Sequence, residues 1–283
     1  MPSPTSAYEL MGVVNVTPDS FSDGGAFLDP ATAIAHGLGL IAEGADIVDV
    51  GGESTRPGAG PVPAADELAR VVGVVEGLAG RGARVSVDTM KAPVARAALA
   101  AGATYVNDVT ALRHDTDMAA LVAESGADCC LMHMLGEPRT MQEAPRYHDV
   151  VDDVRAFLEE RLAFAVAAGI AEDRVQLDPG IGFGKTLEHN LELLRRLGEL
   201  TTLGRPLLVG VSRKSFLGRI TGREPADRVA ATVAANVIAY ERGARVFRVH
   251  DVAAVADGLA VAAATLAPPW RETTTSPSTT TTS

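Results

Sequence analysis

The stretch ARVSVDTMKAPVARAALAAGATYVNDVTAL, Ala83–Leu112, decides the fold. It opens on one apolar run, Ala83–Val87, and closes on another, Thr104–Val109, with a helical pattern between them. The runs are nearly continuous rather than alternating, which is how strands buried on both faces of a parallel sheet read. Gly102 falls where the helix should stop, as a C′ glycine does. Both strands exit onto polar residues, Asp88 and Asn107. The unit is strand, helix, parallel strand.

Working outward, the same unit recurs. Apolar runs lie at Leu10–Val16, Ala45–Val50, Asp128–Met132, Val175–Leu177, Leu207–Val211 and Arg245–Val249. Val151, Val154, Phe157, Leu158, Leu162 and Ala165 recur at helical spacing, as do Val229, Val233, Val237 and Tyr240. Gly44, Gly126, Gly169 and Gly243 take the C′ place of Gly102, and Asp227 and Asp251 stand where N-caps are expected. Eight strands, each followed by a helix, predict an α/β chain folded as a single (β/α)8 TIM barrel. An open doubly wound sheet is the alternative, but no GxGxxG follows the first run.

A chain of 283 residues with 47% hydrophobic side chains has ample material for one large core. The barrel domain is expected over residues 8–267, after a flexible N-terminus at 1–7. Thr273–Ser283 is all Ser and Thr apart from Pro277 and buries nothing, so 268–283 reads as a disordered tail. The net charge of −11 opposes nucleic acid and anionic membrane as partners. The start, MPSPTSAYEL, has neither the basic nor the apolar region of a signal peptide, and no charge-free apolar run is long enough to span a bilayer. Cytoplasm is the expected location. The two cysteines, Cys129 and Cys130, are adjacent and read as small buried strand residues.

Active sites of such barrels lie at the C-terminal ends of the strands. The exits here are Asn15, Glu53 (with Thr55 and Arg56), Asp88, Asn107, His133, Asp178, Lys214 and His250. Eight polar exits in register point to one polar pocket. Lys185, Lys214, Arg56, Arg213, Arg219 and Arg248 gather near the mouth, so an acidic chain should present a basic pocket to an anionic ligand. DPGIGFGKT, Asp178–Thr186, fails the Walker pattern because Pro179 stands where its first Gly belongs. Gly180, Gly182 and Gly184 would still let backbone approach a flat ligand. The polar, Gly/Pro-rich stretches NVTPDSFSDGG and GGESTRPGAG read as lids. His133 reads as a brace of the barrel floor. His36, His114, His148 and His189 have no metal spacing and read as solvated.

MGVVNVTPDSFSDGG (Met11–Gly25), DVGGESTRPGA (Asp49–Ala59), SVDTMK (Ser86–Lys91), VNDVTAL (Val106–Leu112), MHMLGEPRTMQ (Met132–Gln142), DPGIGFGK (Asp178–Lys185), GVSRKSFLG (Gly210–Gly218) and RVHDV (Arg248–Val252) together resemble the dihydropteroate synthase family, the folate-pathway enzymes targeted by sulfonamides. The resemblance implies condensation of 6-hydroxymethyl-7,8-dihydropterin diphosphate with p-aminobenzoate. The products would be 7,8-dihydropteroate and diphosphate, by an SN1-like, Mg²⁺-dependent route. It implies a pterin pocket of Asp88, Asn107, Asp178, Lys214 and Arg248. A buried carboxylate accepting the paired N–H donors of a pterin edge suits Asp178 independently. By the same resemblance Asn15 with Mg²⁺, Thr55, Arg248 and His250 would hold diphosphate. Thr55, Arg56, Pro57, Phe183 and Ser215 would meet p-aminobenzoate, and Thr55, Arg56, Lys214, Arg248 and His250 form the catalytic set. A homodimer is implied too. Three other functions compete: a non-catalytic pterin binder, a corrinoid-dependent methyltransferase barrel and a Schiff-base aldolase on Lys214. Diphosphate release with both substrates present separates the synthase from the non-catalytic binder. The methyltransferase substrate lacks a diphosphate for the loop motifs to serve, and borohydride trapping on Lys214 would identify the aldolase.

Overall fold

The computed structural model describes residues 7–17, 30–55 and 58–266. β1 (Glu9–Asn15), β2 (Ile47–Gly51), β3 (Val85–Asp88) and β4 (Tyr105–Asp108) form the first half of a closed barrel. β5 (Asp128–Met132), β6 (Val175–Asp178), β7 (Leu207–Val209) and β8 (Ala244–Val249) form the second. Neighbours pair in parallel, and β8 closes onto β1 with Glu9 opposite Val246. The helices between the strands are α1 (Pro30–Ala42), α2 (Ala64–Ala79), α3 (Ala92–Ala100), α4 (Met118–Ser125), α5 (Val150–Ala167) and α6 (Leu187–Arg195). The β7–β8 connection holds two helices rather than one, a short α7 (Ser215–Thr221) and α8 (Val229–Glu241), and α9 (Val252–Leu266) follows β8. The (β/α)8 TIM barrel expected from the sequence is therefore the observed fold. Among the described residues no helix is long and apolar enough to cross a membrane.

Strand side chains alternate between two apolar environments, which is why the sequence shows no polar alternation. One set packs outward under the helices: Val48, Val50, Val85, Val87, Val106, Leu131 and Leu177 are all fully buried there. The other set fills the barrel interior with Met11, Ile47, Tyr105, Cys130, Leu208 and Val246. Each such side chain contributes roughly 1.5–3 kcal/mol by leaving water. Tyr105 carries a hydroxyl into this layer and satisfies it on Gln176 Oε1 at 2.7 Å.

Helix ends follow the expected glycines: Gly44, Gly102, Gly126, Gly169 and Gly243 all have positive φ. Asp149 caps α5, accepting from the N–H groups of Val151 (2.9 Å) and Asp152 (3.0 Å). One cap expectation is corrected. Asp227 ends a 3-10 turn, and Arg228 takes the cap place before α8 with no side-chain bond. Asp251 directly precedes α9 as expected, its carbonyl accepting from Val255 N–H at 3.1 Å and its carboxylate held by the Arg213 guanidinium. The residues read at helical spacing, Val229, Val233, Val237 and Tyr240, all lie on α8. Thr232, Ala235, Asn236 and Ala239 are buried in α8, while Val233 and Val237 face α9. Gly258 makes that contact possible, since a Cβ there would lie 2.5 Å from Val233 Cγ1.

Candidate active site

Two residues above the interior layer, the same strands change chemistry. Ile47 is followed on its face by Asp49, Tyr105 by Asn107, Gln176 by Asp178 and Val246 by Arg248. Arg248 Nε donates to Asp49 Oδ2 at 2.6 Å, and its NH2 donates to Asp88 Oδ2 at 2.8 Å. Asn107 Nδ2 donates to Asp49 Oδ2 at 3.1 Å. β8, β2 and β4 are not neighbours, so these bonds span the inside of the barrel. They make a polar layer resting on an apolar floor. Asp49 is fully buried and its Oδ1 has no partner.

Asp178 ends β6 on the other side of this layer. Its Oδ1 accepts from Gly180 N–H at 2.7 Å, and its carbonyl accepts from His133 N–H at 3.0 Å. Lys214 follows Arg213, whose φ of 57° turns the chain inward. Lys214 Nζ donates to Ile181 O and stands 4.6 Å over the Phe183 ring. Phe183 is half-buried and packs on Val109, Met132, Met134 and Met141, an apolar wall beside the polar layer.

Burial sets the charges of this layer. It pushes the Asp88 carboxyl up to about 7, against the pull of Arg248. It pushes Asp178 up as well, with the Lys214 ammonium opposing. Lys214 is lowered to about 8 by burial, with Asp178 opposing. Burial also works against the Arg248 charge, but Asp49 and Asp88 outweigh it and hold that pKa up. Such paired, desolvated groups in a barrel mouth are what a ligand site requires.

Around the rim, Asn15 ends β1 and His250 follows the neighbouring strand β8, both half-buried. His250 N–H donates to Ser212 Oγ at 3.1 Å, and its Nδ1 lies at the same distance from that oxygen. Thr55 is half-buried after β2, and Ser215 is exposed at the first turn of α7. Arg56, Pro57 and most of the first lid, residues 18–29, lie outside the described residues.

Two of the expected cations, Lys185 and Arg213, are engaged by other protein groups. Lys185 is buried, its Nζ 2.9 Å from His133 Nδ1 and 3.0 Å from Phe183 O. Burial lowers its pKa well below the lysine range and takes His133 down to about 2. His133 packs edge-on against Phe157, as a brace should. Arg213 is paired with Asp251, and Arg219 points outward from α7. Gly180 and Gly184 admit protein backbone rather than a ligand: a Cβ on them would lie 1.8 Å from His133 O and 2.6 Å from Leu135 O. Gly182 does stand beside Lys214, whose Cδ a Cβ would meet at 3.0 Å. His36, His114 and His148 are exposed, but His189 forms a reciprocal cap with Thr186 at the start of α6. Asp49 was concealed within an apolar run. Its signal was an acid two places after a core isoleucine, which burial obliges to find a partner.

The family model described as pterin binding enzyme matches residues 11–250. The dihydropteroate synthase of Neisseria meningitidis serogroup C is 49% identical over 255 residues, covering 89% of this chain and 90% of that protein. A structure of the Xanthomonas albilineans dihydropteroate synthase with 4-aminobenzoic acid superposes with a TM-score of 0.87 at 51% identity, covering 93% of this chain and 94% of that one. A structure of the enzyme from the same organism with 7,8-dihydropteroate gives 0.84 at 48% identity, covering 93% and 95%.

Proposed function

This chain belongs to the dihydropteroate synthase family of pterin-binding enzymes, and on that premise we propose how its own residues carry the condensation of 6-hydroxymethyl-7,8-dihydropterin diphosphate with p-aminobenzoate. The observation that supports it most is the cross-barrel layer of Asp49, Arg248, Asp88 and Asn107, with Asp178 beside it. A pterin presents a flat ring edged with N–H donors. Asp178 accepts from that edge, Asp88 and Asn107 line the remainder of the pocket, and Arg248 and Lys214 flank the ring. Because the carboxylates are already fixed by Arg248 and Gly180, the pocket pays little reorganisation when the ring enters.

The bond that breaks joins the pterin methylene to the bridging oxygen of diphosphate, which leaves with the electron pair. The methylene cation formed in this SN1-like route stands near Asp88 and Asp178. The aromatic amine of p-aminobenzoate then attacks the methylene carbon and loses one proton. Thr55, Arg248 and His250 hold the leaving diphosphate at the rim. Thr55, Arg56, Pro57, Phe183 and Ser215 receive p-aminobenzoate beside the apolar wall.

Magnesium fits the donor set in one role. Among the described residues no three His, Cys, Asp or Glu side chains group to hold an ion, so a protein cage is not what the rim provides. Asn15 provides a single hard amide oxygen there, which suits an ion that arrives on the diphosphate and keeps several other oxygens. Held there by Asn15, Mg²⁺ would supply positive charge to offset that of the leaving diphosphate.

A homodimer is the expected assembly. Ile238 of α8 and Val261 and Leu266 of α9 are exposed large apolar residues on adjacent helices, a surface suited to a second copy. We place the enzyme in the cytoplasm, where the buried thiols Cys129 and Cys130 stay reduced. The deciding experiment measures dihydropteroate and diphosphate formed with both substrates, with each alone, and with or without Mg²⁺. Stoichiometric release of both products only when both substrates and Mg²⁺ are present is expected. Pterin binding without turnover would reduce the chain to a binding protein.

A further inference from the structure

We propose that Lys91 is a positioning residue that ties the loop carrying Thr55 to the floor of the pterin pocket. It forms no part of the reacting layer. Its ammonium donates to Glu53 Oε2 and to Glu67 Oε2, at the start of the loop after β2 and on the first turn of α2. Glu67 is fully buried and Glu53 nearly so, and the second oxygen of Glu67 has no partner. Two buried carboxylates are therefore neutralised by one cation, and neither tolerates its loss.

The geometry gives this triad a direction of action. Lys91 sits three residues after Asp88, and its backbone is fixed by the pocket itself. Thr89 N–H donates to Asn107 O at 3.1 Å, Lys91 N–H donates to Thr89 Oγ1 at 3.2 Å, and Ala92 N–H donates to Asp115 Oδ2 at 2.8 Å. From that fixed point the side chain reaches Glu53, two residues before Thr55. Glu53 in turn uses Oε1 to accept from Val62 N–H at 3.1 Å, closing the loop's two ends on one carboxylate. Arg70 NH1 donates to Gly52 O at 2.8 Å, and a Cβ on Gly52 would lie 2.7 Å from Val71 Cγ1, so the loop base is seated on α2. The triad thus transmits the position of the pterin floor to the loop that meets the second substrate. The inference rests on the proposed use of Thr55 in p-aminobenzoate and diphosphate binding.

The test compares the full-length wild type with Lys91→Met, which removes the cation, and with Glu53→Gln, which keeps an acceptor for Val62 and removes one charge. Three quantities are read: the Kd for pterin diphosphate, the KM for p-aminobenzoate with kcat, and amide exchange over residues 53–62. The account predicts a pterin Kd within about 3-fold of wild type, a KM for p-aminobenzoate raised by about 10-fold or more, and faster exchange over 53–62. Glu53→Gln should show the same pattern with smaller changes, and it carries the comparison alone if Lys91→Met does not fold. Equal loss of pterin and p-aminobenzoate affinity, or unchanged exchange over 53–62, overturns the assignment. If the wild type forms no dihydropteroate, the functional reading falls. Exchange then decides the anchor by itself: faster over 53–62 in the variants supports it, unchanged overturns it.

Discussion

At the N-terminal end of the barrel, Arg84 donates to Glu9 at 2.7 Å and to Asp128 at 2.9 Å. At the C-terminal end, Arg248 donates to Asp49 at 2.6 Å and to Asp88 at 2.8 Å. Both are one guanidinium between two carboxylates from different strands. They differ in access to water. The side chains of Arg84, Glu9 and Asp128 are 28%, 18% and 25% exposed, whereas Asp49 and Asp88 are 0% and 7% exposed. Water screens the lower network, whose members sit at or beside strand starts, with Asp128 also meeting Arg174 at 3.3 Å. The upper network is desolvated, shifts the pKa of its members and leaves one Asp49 oxygen unpartnered. The same residue types therefore trim the barrel at one end and preorganise a binding layer at the other. The apolar interior layer separates the two.

That separation can be broken from the middle. Leu208→Ala empties part of the fully buried interior layer and should cost about 2–5 kcal/mol of stability. Chemical denaturation should record that loss, while calorimetry on the folded fraction finds pterin affinity close to wild type. A large affinity loss would mean the floor and the polar layer are not independent.

A smaller effect concerns Lys214, whose pKa is lowered from the ordinary 10.5 to about 8. The folded chain then binds fewer protons than the unfolded chain between those values, so this group's contribution to stability rises with pH there. Its penalty on the ligand-free fold is fully present below about pH 8 and fades above it. Lys214→Met should remove that dependence, so the stability difference between variant and wild type is largest below pH 8 and shrinks by pH 10. Thermal melts across this range check it; a difference independent of pH would show that Lys214 is an ordinary exposed lysine.

The smallest effect belongs to the lower network. Arg84→Ala should cost about 0–1 kcal/mol, less at high salt, and leave turnover unchanged. A reduced kcat in that variant would erase the contrast between the two ends.

Much of this was legible in the sequence. The eight apolar runs and their polar exits gave the barrel and brought Asp88, Asn107, Asp178 and Arg248 to one layer, because strand exits in a closed barrel converge by construction. What sequence could not resolve was which polar residue faces which neighbour. Lys185 follows a glycine-rich loop as Lys214 follows a strand, yet the fold buries the first against His133 and Phe183 O and sets the second on Ile181 O over the Phe183 ring. Asp49 looked like one acid in an apolar run until Arg248 arrived from β8, 199 positions away. Asp227 was read as a cap because local pattern cannot tell the start of α8 from the 3-10 turn that precedes it.

The central claim is that the polar layer is a preformed pterin site that the fold does not need. Asp178→Asn tests it most directly. The amide keeps the shape but turns one acceptor into a donor facing the ligand's own donor. Titration calorimetry should show pterin diphosphate bound about 10²-fold more weakly, or roughly 2–4 kcal/mol, while the melting temperature of the ligand-free protein stays near wild type. Retained pterin affinity together with a lowered melting temperature would make Asp178 a structural residue and contradict the account.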